Sequence, residues 1–341
     1  MFFNILRHVF HNVYKPVVTS KLIMTFYDKS GAILIALSNF FTPIDNISPL
    51  GYSGEKHFGF DKKKEELKKS YNLVSLHNHS TFSDGELDLE NYITRAIKNG
   101  YDIVSITDHN TTDAFKSLYD NKEIGRFKRE IVNAYTIKIL GDDEKEVLYF
   151  LKGEEITTKD GHINVIGEKM PKSGQSLEDT LLSITEDDFV IANHPMLKIA
   201  RGIGEENLRR YKDFFDAVEA NGSIAFPFGF YYNTKAKAIA EDLKIPVVAA
   251  PDAHIKGVYF NSFLTLVKKD ISFDEDMIIR YLKNMLNEGK YQTVEQSPDN
   301  INIIKWTLRN LFNRKSPKMQ INLKDQALEF EKINLKPNAH I

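Results

Sequence analysis

From Tyr71 onward the chain alternates short apolar runs with helix-length amphipathic stretches, and this alternation restricts the fold more than any other feature of the 341 residues. Strands are predicted at Asn72–His77, Asp102–Thr107, Val147–Glu155, His162–Ile166, Phe189–Asn193, Ala217–Ala220, Val247–Ala250 and Ser262–Val267. Helices are predicted between several of them, at Leu87–Asn99, Thr112–Asp120, Ser176–Ile184, Glu205–Phe215 and Asn233–Leu243, with a last one from Asp274 to about Leu286. Strand and helix alternating this often argue for a parallel sheet, open or closed into a barrel.

The flanks differ. Residues 1–60 read as an N-terminal extension. Phe2, Phe3, Leu6, Val9, Phe10 and Val13 recur at helical spacing, a stretch expected to dock on the protein's own core rather than on a membrane surface. Val17–Tyr27 and Ala32–Phe41, separated by Asp-Lys-Ser-Gly, predict a β-hairpin. Residues 61–70 form a charged linker, 71–290 the barrel region, and 291–341 a C-terminal tail with an amphipathic basic helix in INIIKWTLRNLF. No segment reaches the roughly 20 apolar residues of a membrane-spanning helix. Asn4, Arg7, His8 and His11 also interrupt any signal-peptide core, so a cytoplasmic setting is expected.

A hydrophobic fraction of 42% with 27% charged residues excludes a disordered or fibrous chain, and a formal net charge of −2 gives no overall field for nucleic acid. The absence of cysteine removes disulfides, thiolate catalysis and Cys-ligated zinc, leaving any metal to His, Asp and Glu. Four of the ten histidines (His8, His11, His57 and His340) fall outside the barrel region. The other six lie at the end or start of a predicted strand, most of them close to an acidic residue.

In HNHSTFSDG, His77 and His79 are two apart at a strand end, so both side chains leave the same face and can meet one ion, with Asp84 just after them. In TDHN, Asp108 and His109 are adjacent and point opposite ways; His109 is the expected ligand. Glu154 and Glu155 pose the same choice. His162 opens GHINVIG, His194 ends a strand before Pro195, and Asp252 with His254 repeats the two-residue spacing. One such histidine alone is more often an ordinary core or surface residue. The ordered set, at the strand ends where barrels build their sites, points instead to a metal centre. Imidazoles mixed with carboxylates suit Mn²⁺, Fe²⁺ or Zn²⁺, and the donors are too many for one tetrahedral ion, so two or three divalent ions are expected.

These motifs in this order (HNHSTFSDG, TDHN, GEEIT with GHINVIG, NHP and PDAH) resemble the polymerase and histidinol phosphatase (PHP) family of metal-dependent phosphoesterases. GIGEENLRRYKDFFDAVEANG and the Asn-Thr-Lys-Ala stretch at 233–236 look like that family's connecting elements. The resemblance covers about Asn72 to Val267 and is nearest to small stand-alone phosphoesterases of nucleotides and short oligonucleotides. It implies an α/β fold, a distorted (β/α)₇ TIM-like barrel, here with the hairpin extension and helical tail. It also implies that His77, His79 and Asp252 hold a first ion, bridged by Glu155 to a second held also by His194 and His162. Asp84, His109 and His254 would hold a third. The doubled glutamate leaves the bridge open between Glu154 and Glu155. Pro251 stands where the family usually has serine, which removes an N–H donor and a hydroxyl beside the ligands.

The expected activity is hydrolysis of a phosphate ester, of a nucleotide or short oligonucleotide, by hydroxide bridging the ions. Arg201 and Lys198, just after His194, are candidates to grip the substrate phosphate. Two other readings stand beside it. An amidohydrolase-type C–N hydrolase would commonly need a carboxylated lysine as bridge, and no lysine ends a central strand in that place. A metal-binding regulatory module without turnover would be favoured by degenerate ligands, whereas all nine positions hold competent donors. No stable nucleic-acid complex is expected.

Overall fold

All eight predicted strands form. The computed structural model describes residues 66–121, 123–141, 147–222, 229–254 and 263–295. The amphipathic segment, the hairpin, most of the linker and the basic tail helix lie outside these residues.

Six of the strands run in one direction: β1 (Tyr71–Ser75), β2 (Ile103–Ile106), β6 (Val147–Thr157), β8 (Phe189–Ala192), β9 (Ala217–Gly222) and β10 (Val247–Ala250). Their central segments are buried on both faces, as in Ile103–Ile106, which explains why they read as short apolar runs rather than as alternating ones. Fully buried side chains such as Phe150, Phe189, Ile103 and Leu73 each contribute about 1.5–3 kcal/mol.

The expectation of an all-parallel sheet needs correction at two strands. β7 (His162–Ile166) is antiparallel to both β6 and β8, and β11 (Phe263–Lys268) is antiparallel to β1. Only residues 158–161 separate β6 from β7, far too few for the crossover that a parallel neighbour requires, so the chain turns back as a hairpin. The reversal places the first residue of β7 on the same rim as the last residues of the parallel strands.

The sheet runs β10-β9-β8-β7-β6-β2-β1-β11-β12, with β12 (Tyr291–Glu295) antiparallel to β11. It curls into a nearly closed, TIM-like barrel. At the seam the Thr265 hydroxyl of β11 donates to the Ala249 carbonyl of β10 and accepts from its N–H, each at 2.9 Å, in place of a ladder. The strand β12 carries the sheet past residue 290, where the tail was expected to begin. Sequence reading also passed over β3 (Glu123–Ile124), β4 (Phe127–Asn133) and β5 (Thr136–Leu140), an antiparallel extension paired onto β6.

Among the described residues six α-helices accompany the strands: α1 (Leu89–Lys98), α2 (Asp113–Asp120), α3 (Leu177–Leu182), α4 (Gly204–Arg210), α5 (Gly229–Leu243) and α6 (Ile278–Asn287). α1 starts where Asp88 accepts the Asn91 amide at 2.9 Å, and it buries Leu89, Tyr92, Ile93 and Ala96 along one stripe. α6 buries Ile278, Ile279, Tyr281, Leu282, Met285 and Leu286 in the same way. Among the described residues no helix is long and apolar enough to cross a membrane.

Candidate metal centre

The rim where the parallel strands end and β7 begins brings all nine expected side chains together. His77 and His79 follow β1, His109 follows β2, Glu155 lies near the end of β6 and His162 opens β7. His194 follows β8, and Asp252 and His254 follow β10. Asp84 comes from the loop between β1 and α1.

Glu155 sits at the centre. Its Oε2 lies 3.0 Å from His109 Nδ1, 3.2 Å from His79 Nε2 and 3.4 Å from His77 Nε2. Its Oε1 lies 3.0 Å from His162 Nδ1 and 3.4 Å from His194 Nε2. One carboxylate thus meets five imidazoles, three on one oxygen and two on the other. Asp252 Oδ1 stands 3.1 Å from His79 Nε2 and 3.3 Å from His77 Nε2, while Asp84 Oδ1 stands 3.3 Å from His254 Nε2.

The doubled acids separate by face. Glu154 points away from the cluster, with Lys116 and Lys152 as its charged surroundings; burial pushes its carboxyl up to about 7. Asp108 also stays out. It is buried and accepts the Ser80 amide at 2.8 Å, the Ser80 hydroxyl at 2.6 Å and the Ser83 hydroxyl at 2.5 Å, so it holds the loop that carries His79 and Asp84. Gly85 is needed in the same loop because a Cβ there would lie 2.4 Å from the His79 carbonyl oxygen. The first and last motifs are joined through backbone: the Asp252 amide donates to the His77 carbonyl at 3.1 Å and the His79 amide to the Ala253 carbonyl at 3.2 Å. Pro251 leaves this joining intact.

Electrostatics follow from the crowding. Burial raises Glu155, but His109, His162 and His77 outweigh it and hold the carboxyl well below its usual range. Burial lowers His77, yet Asp252, Glu219 and Glu155 raise it well above an ordinary imidazole. His254 reaches about 9, with burial outweighed by Asp252 and Asp84. In His162 burial prevails and the value falls. Such mutually held acids and bases suit displacement of protons by cations.

The donor set fits divalent metal. Both oxygens of Asp252 and Nδ1 of His194 are buried without a hydrogen-bond partner, as ligand atoms would be. Four overlapping groups bring ligand atoms within 4.8 Å of one another: His79, Asp84, His109 and His254; His77, His79 and Asp252; His77, Glu155 and His194; and His109, Glu155 and His162. His77, His79, His109 and Glu155 each belong to two groups, so ions could share ligands. His162 groups with His109 rather than with His194, although both His162 and His194 approach Glu155 Oε1. His194 and Asp252 have left-handed backbones, φ 28° and 44°, which such residues adopt only where the surroundings enforce it.

Residues 75–291 match the model of the PHP domain. The chain belongs to the PHP domain family. No curated protein matches the chain. Among solved structures it is similar to a two-domain protein of Bacteroides vulgatus containing a predicted PHP-like metal-dependent phosphoesterase, at 16% identity and a TM-score of 0.48, over 66% of this chain and 65% of that one. It is also similar to a lesion-specific endonuclease of Pyrococcus furiosus, at 16% identity and a TM-score of 0.43, over 63% of this chain and 56% of that one. The chain therefore spans less than two thirds of either relative.

Arg201 and Lys198 are exposed beside the PHP centre. Lys198 opens a short 3₁₀ turn, and Arg201 follows it in a left-handed backbone with φ 60°. The Arg201 carbonyl accepts the His162 amide at 2.8 Å, which fixes its backbone next to the cluster. Three polar side chains around the centre escaped sequence reading. Asn193 donates to Glu155 Oε1 at 3.0 Å and to Asn164 Oδ1 at 2.7 Å, and Asn164 donates to the Leu76 carbonyl at 3.1 Å. Glu219 sits behind His77, and its one sequence signal is a carboxylate inside the apolar run Ala217–Ala220.

Proposed function

We propose that this PHP protein hydrolyses a phosphate ester of a nucleotide or short oligonucleotide, with two or three divalent ions (Mn²⁺, Fe²⁺ or Zn²⁺) held by His77, His79, Asp84, His109, Glu155, His162, His194, Asp252 and His254. The observation that supports this most is the Glu155 carboxylate shared among five imidazoles at one rim of the barrel. When bound, neighbouring divalent ions generate hydroxide at neutral pH and neutralise charge on phosphoryl oxygens. The chain supplies the rest. Glu155 holds the two halves of the centre at a common spacing, oriented by Asn193. Asp108 holds the His79–Asp84 loop in place. Arg201, with Lys198 beside it, binds the non-reacting phosphate oxygens.

The amidohydrolase-type alternative gains no support from the lysine of the β6 strand that carries Glu155. Lys152 of β6 donates to the Glu168 carbonyl at 2.6 Å, and Glu155 takes the bridging position instead. A cytoplasmic setting belongs to the same reading, supported by a chain without cysteine.

The test is metal analysis of the purified protein, followed by phosphate release from a panel in the presence of Mn²⁺. The panel holds histidinol phosphate, a nucleoside 3′,5′-bisphosphate, AMP and a short oligoribonucleotide, with His194→Ala as control. The expected result is bound metal, turnover of the nucleotide members and loss of turnover in the variant. Metal without release from any ester would overturn the reading in favour of a binding module.

A further inference from the structure

Glu219 stands in the middle of β9 with 1% of its surface exposed, flanked in sequence by Val218 and Ala220, which are wholly buried. A carboxylate in such a strand needs a partner. The partner comes from 142 residues away: Glu219 Oε2 lies 2.7 Å from His77 Nδ1. A carboxylate there accepts, so a neutral His77 ring keeps its proton on Nδ1 and its lone pair on Nε2, the form a metal ligand needs. His77 Nε2 in turn faces Asp252 Oδ1 at 3.3 Å, Glu155 Oε2 at 3.4 Å and His79 Nε2 at 3.2 Å. The ring is thus held from behind and presents its acceptor nitrogen to the centre. His254 is held differently, through a backbone carbonyl: its Nδ1 lies 2.9 Å from the Asp252 oxygen.

We infer that Glu219 is a positioning residue for the metal centre, one that sets the tautomer and the aim of His77 without touching metal or substrate. The inference rests on the metal-centre reading above and adds to it a residue from a strand that contributes no ligand. Carboxylate–histidine–metal arrangements of this kind commonly change metal affinity by about 10- to 100-fold when the carboxylate is lost.

The test compares Mn²⁺ affinity, measured by competition with a fluorescent chelator, in the full-length protein and in two variants. Glu219→Met keeps the volume but accepts no hydrogen bond; Glu219→Gln keeps an acceptor oxygen for Nδ1–H. Thermal unfolding of the metal-free proteins accompanies both. The expected result is a loss of about 10- to 100-fold in Mn²⁺ affinity for Glu219→Met and less than about tenfold for Glu219→Gln. The metal-free Glu219→Met protein should remain folded but unfold at a lower temperature than wild type, because the buried His77 Nδ1–H loses its acceptor, and Glu219→Gln should lie between the two. Wild-type affinity in Glu219→Met overturns the inference, as do equal losses in the two variants. So does a Glu219→Met protein that is unfolded without metal, since the role would then be structural. A wild-type protein that binds no Mn²⁺ would instead overturn the metal-centre reading itself.

Discussion

Asp108 and Ser80 are joined twice, through the Ser80 amide at 2.8 Å and its hydroxyl at 2.6 Å, and this clamp fixes the loop on which His79 and Asp84 stand. Removing the acceptor strands buried donors. Asp108→Ala should therefore destabilise the fold by about 3 kcal/mol and weaken metal binding as the loop loosens. Urea unfolding together with metal content checks it; an unchanged midpoint and full metal content would contradict the clamp.

Glu154 and Glu155 should separate cleanly by mutation. Glu155→Gln removes the charge shared by five imidazoles and should lower phosphoesterase activity by about 10³-fold or more. Glu154→Gln should leave activity within about threefold, since its side chain lies outside the cluster. Initial rates at saturating Mn²⁺ decide the matter. Comparable losses in both variants would refute the assignment by face.

Glu154 also makes a statement about pH. Its folded value near 7 lies above the ordinary glutamate value of 4.5, so the unfolded chain gives up the proton first as pH rises. The contribution of this group to stability is present below about 4.5 and is lost as pH climbs through about 7. Glu154→Gln should accordingly match wild type near pH 4.5 and exceed it by about 1–2 kcal/mol at pH 8, after allowance for partial solvent screening. Denaturant unfolding at the two pH values measures the gap, and a gap that shrinks with rising pH would contradict the sign.

Metal loading should release protons. His254 stands at about 9, so metal-free protein at pH 8 carries a proton on a ring that must be neutral to ligate. Titration of chelator-stripped protein with Mn²⁺ in two buffers of different ionisation enthalpy should show release of about one proton or more per chain. Identical heats in the two buffers would count against it.

Arg201 lies beside His162 through its backbone, with its side chain exposed. If its guanidinium grips the substrate phosphate, Arg201→Ala should raise KM by about tenfold with a smaller change in kcat, a loss of binding common to ground and transition states. Unaltered KM would remove Arg201 from the substrate site.

Much of this was legible in the linear chain. Alternation of apolar runs with amphipathic stretches located all eight strands of the barrel, because strands buried on both faces carry little else. The histidines and acids stood out because they cluster at strand ends, where side chains leave the sheet for the rim. What escaped were β3 to β5 and β12; β3 has only two residues, and β4 exposes Lys128, Glu130 and Ile131, which dilutes its apolar signal.

Tertiary structure decided the remainder. Period-two geometry places Glu154 and Glu155 on opposite faces, but only curvature of the sheet determines which face becomes the inside of the barrel. The direction of β7 follows from a connection too short for a crossover, and that reversal brings His162 to the rim shared with His194. Glu219 and His77 are 142 residues apart, and no local rule pairs them. Local sequence specifies which side chains can bind cations, whereas barrel closure sets where each points, since the hydrogen-bonded order of the strands fixes which residues face one another.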